Sequence, residues 1–118
     1  MTRDTFDPAE VLPLTPIAFD ILLSLVEEEA HGYGIMRSVE ERSDGATSLH
    51  AGTLYRALSR LVDGGLIEEL PEAPEAGADE RRKYYRITGK GRQAAAAEAR
   101  RLESQLGAAR AQGLLGPA

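Results

Sequence analysis

His50-Ala51-Gly52-Thr53-Leu54-Tyr55-Arg56-Ala57-Leu58-Ser59-Arg60-Leu61-Val62-Asp63-Gly64-Gly65, running on into Leu66-Ile67-Glu68-Glu69-Leu70, is the stretch that decides the fold. Leu54, Leu58, Leu61 and Val62, with Ala57 alongside, recur at helical spacing, which predicts a helix from about Ala51 to Asp63. Two glycines stand where such a helix must stop. The period then switches to two. Leu66 to Leu70 reads as a strand, and Lys83-Tyr84-Tyr85-Arg86-Ile87 is a second strand-compatible run with alternating faces. Pro71 to Glu80, rich in proline, alanine, glycine and acid, is too polar for a core and reads as a long hairpin tip.

Working outward toward the N-terminus, Ser43-Asp44-Gly45 is turn chemistry, and Ile35 and Val39 give one face to a short helix from about Tyr33 to Arg42. Thr15-Pro16 supplies a hydroxyl cap and a first-turn proline for an earlier helix. Ile17, Ala18, Ile21, Leu22, Leu25 and Val26 form its stripe, and Glu27-Glu28-Glu29 ends it. Residues 1–13 show no period and read as a loose arm. On the other side, Thr88 caps a last helix, alanine-rich from Gln93 to Arg110. Within it Ala95, Ala99, Leu102, Leu106 and Ala109 are spaced as a short heptad seam, the candidate dimer interface.

Three helices, a hairpin and a further helix give the element order of a winged helix-turn-helix. The expected fold is mainly α (α+β), with a two-stranded wing and a C-terminal dimerisation helix. The expected boundaries are an arm at 1–13, the winged-helix domain at 14–88, the dimerisation helix at 89–112 and a frayed tail at 113–118.

A chain of 118 residues is one domain, and 42% apolar content is enough for a modest core. With no cysteine, disulfide scaffolds, thiolate metal sites and cysteine nucleophiles are excluded, and two histidines cannot build a multi-histidine metal cage. No cofactor is expected. No apolar run is long enough to span a bilayer and the N-terminus lacks a secretory layout, so a soluble cytoplasmic protein is expected. The net charge of −5 argues against a nonspecific polyanion binder, but its distribution is uneven. Arg81 to Arg92 holds six cations and no acid, so a segment at +6 sits on a remainder at −11.

The outer face of the third helix carries His50, Gly52, Thr53, Tyr55, Arg56, Ser59 and Arg60. The major groove, about 12 Å wide, admits such a helix, whose hydroxyls and arginines can reach phosphates and base edges. Arg81, Arg82 and Lys83, where the hairpin returns to the body, fit phosphate neutralisation, while the anionic remainder would repel DNA from other faces. The candidate DNA-binding set is therefore His50, Gly52, Thr53, Tyr55, Arg56, Arg60, Arg81, Arg82 and Lys83. Acids at Glu72, Glu75, Asp79 and Glu80 weigh against entry of the tip itself into a groove.

The run from Gly52 to Leu61 with Gly65-Leu66-Ile67, the run Arg82-Lys83-Tyr84-Tyr85-Arg86-Ile87-Thr88 with Gly91, and His31-Gly32-Tyr33-Gly34-Ile35 together resemble the PadR family of bacterial transcriptional regulators. The likeness extends from about Leu14 to Ala97. It implies a homodimeric winged-helix protein that binds double-stranded DNA, usually as a repressor, with the C-terminal helix in the dimer contact. It also implies DNA-facing roles for Gly52, Thr53, Tyr55, Arg56, Arg81, Arg82 and Lys83. Val62 departs from the family pattern, which commonly has an acid there. The single helix after the wing resembles the short members.

Two other classes compete. An enzyme needs groups converging on a pocket, and the two histidines flank loops without an evident orienting acid, while Gly89-Lys90-Gly91 lacks the spacing of a phosphate loop. Catalysis is not expected. A winged-helix module that binds protein, or a small-molecule sensor centred on its dimer cavity, is the alternative; a purely protein-binding wing would have no need of Arg81, Arg82 and Lys83, and a sensor would still normally read DNA. An effector ligand of unknown identity is compatible with either reading.

Overall fold

The structure, a computed structural model, describes residues 6–45, 50–71 and 82–116. Its elements are a 3-10 turn at Pro8–Val11, α1 at Pro16–Glu27, β1 at Ala30–His31, α2 at Gly32–Arg42, α3 at Ala51–Asp63, β2 at Ile67–Glu69, β3 at Tyr84–Ile87 and α4 at Gly89–Ala111.

Several helix ends rest on local chemistry that the sequence supplies. The Thr15 hydroxyl accepts the Ala18 N–H at 3.1 Å, ahead of Pro16, and the Thr88 hydroxyl accepts the Gly91 N–H at 3.0 Å. At the end of α3, Leu66 N–H reaches the Leu61 carbonyl and Gly65 N–H that of Val62, a paired closure that needs a left-handed residue between. Gly65, at φ +78°, is that residue.

The core gathers Ile21, Leu22 and Leu25 from α1, Ile35 and Val39 from α2, Leu54, Leu58 and Leu61 from α3, and Leu66, Ile67, Tyr85 and Ile87 from the sheet. Ala94 and Ala95 of α4 complete it. Val62, expected on the buried stripe, is instead exposed, because the turn of the helix carries it past the leucine face. Gly91 lets α4 approach the sheet: a Cβ there would land on the Leu66 carbonyl oxygen and lie 2.7 Å from the Ile87 side chain.

Three features depart from the sequence reading or go beyond it. The sheet has three antiparallel strands in the order β1-β3-β2, not two: Ala30 pairs with Tyr85 and His31 with Tyr84, while Ile67 pairs with Ile87. A two-residue strand leaves no alternation to read. Second, residues 6–13 are not a loose arm. Asp7 caps the 3-10 turn, accepting the Ala9 N–H at 3.0 Å, and Phe6, Val11 and Leu12 pack against the core. Third, Glu98 of α4 is only 2% exposed and accepts the Leu14 N–H at 3.1 Å, tying that segment down. Residues 72–81, which include nearly all of the expected hairpin tip, lie outside the described residues, as do 1–5, 46–49 and 117–118.

No helix among the described residues is long and apolar enough to cross a membrane.

Candidate nucleic-acid interface

Pinning Leu54, Leu58 and Leu61 in the core turns the opposite side of α3 outward. Gly52, Tyr55, Arg56, Ser59 and Arg60 are exposed there, and Thr53 is half-buried. His50 takes the N-cap position in extended backbone, is exposed, and makes no side-chain capping bond. One Arg56 guanidinium nitrogen lies 3.5 Å from the Thr53 hydroxyl, so two of the expected DNA-facing side chains stand together over the first turn. That turn carries the positive end of the helix dipole.

The cations of the basic segment fall into different surroundings. Arg86 Nε donates to Glu68 at 2.7 Å, and its guanidinium lies 3.9 Å from Glu29, so these acids raise its affinity for its proton and neutralise it locally. The Lys90 ammonium sits 5.7 Å from the centre of the Phe6 ring, across the molecule's N-terminal segment. Arg82 and Lys83 are exposed at the root of β3, whereas Arg81 lies outside the described residues.

Arg82 is held in a specific place. Its Nη1 lies 3.2 and 3.1 Å from the two ring nitrogens of His31, and its guanidinium is 5.8 Å from the centre of the Tyr33 ring. His31 in turn caps α2 by accepting the Gly34 N–H on Nδ1 at 3.1 Å, which requires that nitrogen to be unprotonated. Its ring stacks with Tyr33 and meets Tyr84 edge-on at 5.3 Å.

These groups line one open groove of about 450 Å³, formed by His31, Gly32, Tyr33, Tyr55, Arg82 and Lys83. A second concavity of about 440 Å³ continues between α3 and the sheet, lined by Tyr55, Ser59, Val62, Glu69, Lys83 and Tyr85. Burial, then the Glu69 carboxylate and Tyr55, raise the Tyr85 phenol above its ordinary value, so it remains a donor at neutral pH. Of the expected set, the structure brings Tyr55, Arg82 and Lys83 to one surface with α2. Sequence reasoning missed His31 and Tyr33 as part of it. The signal was present in His31-Gly32-Tyr33-Gly34, but nothing in the spacing says that β1 lays this turn beside β3.

Along α4, Ala99, Leu102 and Leu106 are exposed and Ala109 is half-buried. Ala95 differs: at 6% exposure it belongs to the chain's own core and is not available to a partner. The exposed part of the expected seam therefore starts at Ala99.

The family model for the transcriptional regulator PadR-like family matches residues 21–97, from α1 into α4. Among solved structures, a PadR family transcription regulator from Clostridium difficile is 27% identical, with a TM-score of 0.71 over 81% of this chain and 96% of that one. A transcriptional regulator from Clostridium thermocellum is 28% identical, with a TM-score of 0.68 over 80% and 86%. Bacillus subtilis PadR, solved in complex with operator DNA, is 26% identical, with a TM-score of 0.56 over 67% of this chain and 44% of that one. Comparison with curated proteins gives no match. The winged helix-turn-helix architecture and the match over most of its length place this chain in the PadR-like family of transcriptional regulators.

Proposed function

We propose that the protein is a homodimeric repressor that binds an inverted-repeat operator in double-stranded DNA. One observation carries this reading: Tyr55, on the outer face of α3, and the cations Arg82 and Lys83 line one groove, on a body that is otherwise strongly anionic. Thr53 and Arg56 are the side chains for base edges, and Arg82 and Lys83, with Arg81 beside them in sequence, are those for phosphates. The operator complex of Bacillus subtilis PadR supports the same choice of ligand.

Ala99, Leu102, Leu106 and Ala109 form the subunit contact in this reading. Leu102 and Leu106 are 37% and 43% exposed in the single chain, and a partner helix would cover them. Twofold pairing sets the two α3 helices against half-sites about 34 Å apart.

Selection of bound duplexes from a random pool tests the reading directly. Enrichment of an inverted repeat is expected; enrichment of nothing, or of an asymmetric single site, contradicts it.

A further inference from the structure

Gly32, the first residue of α2, has no side chain to offer a ligand, yet it is buried directly beneath Tyr55 of α3. A Cβ on Gly32 would lie 2.5 Å from the Tyr55 hydroxyl oxygen, 2.9 Å from the ring carbon bearing it and 3.1 Å from the next. Real contacts of this kind do not occur, so a side chain at 32 and this pose of Tyr55 exclude each other. The backbone is not the reason for glycine here: Gly32 sits in a helix and its φ is not positive. Nor is helix formation, which alanine would favour. What remains is the space that Tyr55 occupies.

Tyr55 is half exposed and lines both concavities, one toward α2 and Arg82, the other toward Ser59, Glu69 and Tyr85. Its ring is thus the joint between α3 and the strand root. We infer that Gly32 is a positioning residue for DNA binding: by lacking a side chain it seats Tyr55 across the start of α2, and this fixes the recognition helix against Arg82 and Lys83. The inference rests on the DNA-binding reading and extends it to a residue that has no side chain to offer DNA.

The test is a double-mutant cycle on the duplex obtained by selection, using full-length chain, with Gly32→Ala, Tyr55→Ala and both together. Gly32→Ala is expected to lower affinity about tenfold or more while the melting temperature stays level or rises, since alanine helps the helix. In the Tyr55→Ala background the same change is expected to alter affinity less than twofold, because the excluded ring is gone. Equal losses in both backgrounds overturn the inference, as does full affinity of the single Gly32→Ala variant. If Gly32→Ala melts much lower, the affinity of Gly32→Ser decides: the same dependence on Tyr55 supports the inference and additive losses overturn it. A wild-type chain that ignores all duplexes overturns the DNA reading and this inference with it, whereas wild-type binding with additive losses removes the inference alone.

Discussion

Replacing Glu98 tests whether the N-terminal segment is a working part of the fold. The Glu98 carboxylate accepts the Leu14 N–H at 3.1 Å and Arg101 Nε at 3.0 Å on one oxygen, and Arg101 Nη2 at 2.5 Å on the other. In Glu98→Ala the buried Leu14 N–H loses its acceptor, which costs about 1–3 kcal/mol. Arg101 is 32% exposed and can turn to water, so its share is small. A total of about 2–3 kcal/mol is expected, near 10 °C of melting temperature at about 4 °C per kcal/mol for a chain this size. Glu98→Gln keeps an acceptor for Leu14 and is expected to lose about half as much.

The assay is urea unfolding at fixed protein concentration, because dimerisation would otherwise shift the midpoint. The pH dependence follows from Glu98 itself. The Arg101 hydrogen bonds foremost, and also the Leu14 N–H, hold its carboxyl below the ordinary value of 4.5, against the opposing effect of burial. The ionised carboxylate therefore contributes fully above about pH 4.5 and less as pH falls through the lower folded value. The gap between wild type and Glu98→Ala is expected to be constant from pH 8 to 6 and to narrow below 4.5. A variant within about 0.5 kcal/mol of wild type, or a gap indifferent to acid, contradicts this role for Glu98.

Three further outcomes follow from the same geometry. Leu102→Glu is expected to give monomers by light scattering with weakened duplex binding, since it sets a charge in the middle of the proposed seam; a persisting dimer moves the interface elsewhere. Replacing Arg82 and Lys83 together with alanine is expected to reduce the salt dependence of log K by about 1.8, near 0.9 per lost phosphate contact, for all sequences alike. An unchanged slope removes both from the DNA surface. Gly91→Ala drives a methyl into the Leu66 carbonyl oxygen and is expected to destabilise by about 2 kcal/mol or more in thermal melts; an unaltered melt contradicts the packing of α4 on the sheet.

The parts of this fold written in local chemistry were legible from the sequence. Thr15-Pro16 and Thr88 mark helix starts, Gly64-Gly65 marks the end of α3, and the leucines of α3 announce its buried face. What escaped depends on contacts between residues far apart in the chain. Phe6, Val11 and Leu12 lack any period and gain meaning only when α4 lies beside them. Glu98 looks like an ordinary surface acid within an alanine-rich helix until Leu14, 84 residues earlier, meets it. The same holds for the site. The outward residues of α3 and the cations at the strand root follow from pattern and charge. The capture of Arg86 by Glu68 and Glu29, the stacking of His31 on Tyr33, and the seat of Tyr55 on Gly32 are products of tertiary packing.

In the proposed complex, two chains read two symmetric half-sites through α3 and the strand root. The most direct test compares affinity for the selected duplex with that for the same duplex carrying one scrambled half. Scrambling is expected to cost at least about a hundredfold, with two chains bound to the intact site. Equal affinity for both duplexes, or one chain on the intact site, contradicts it.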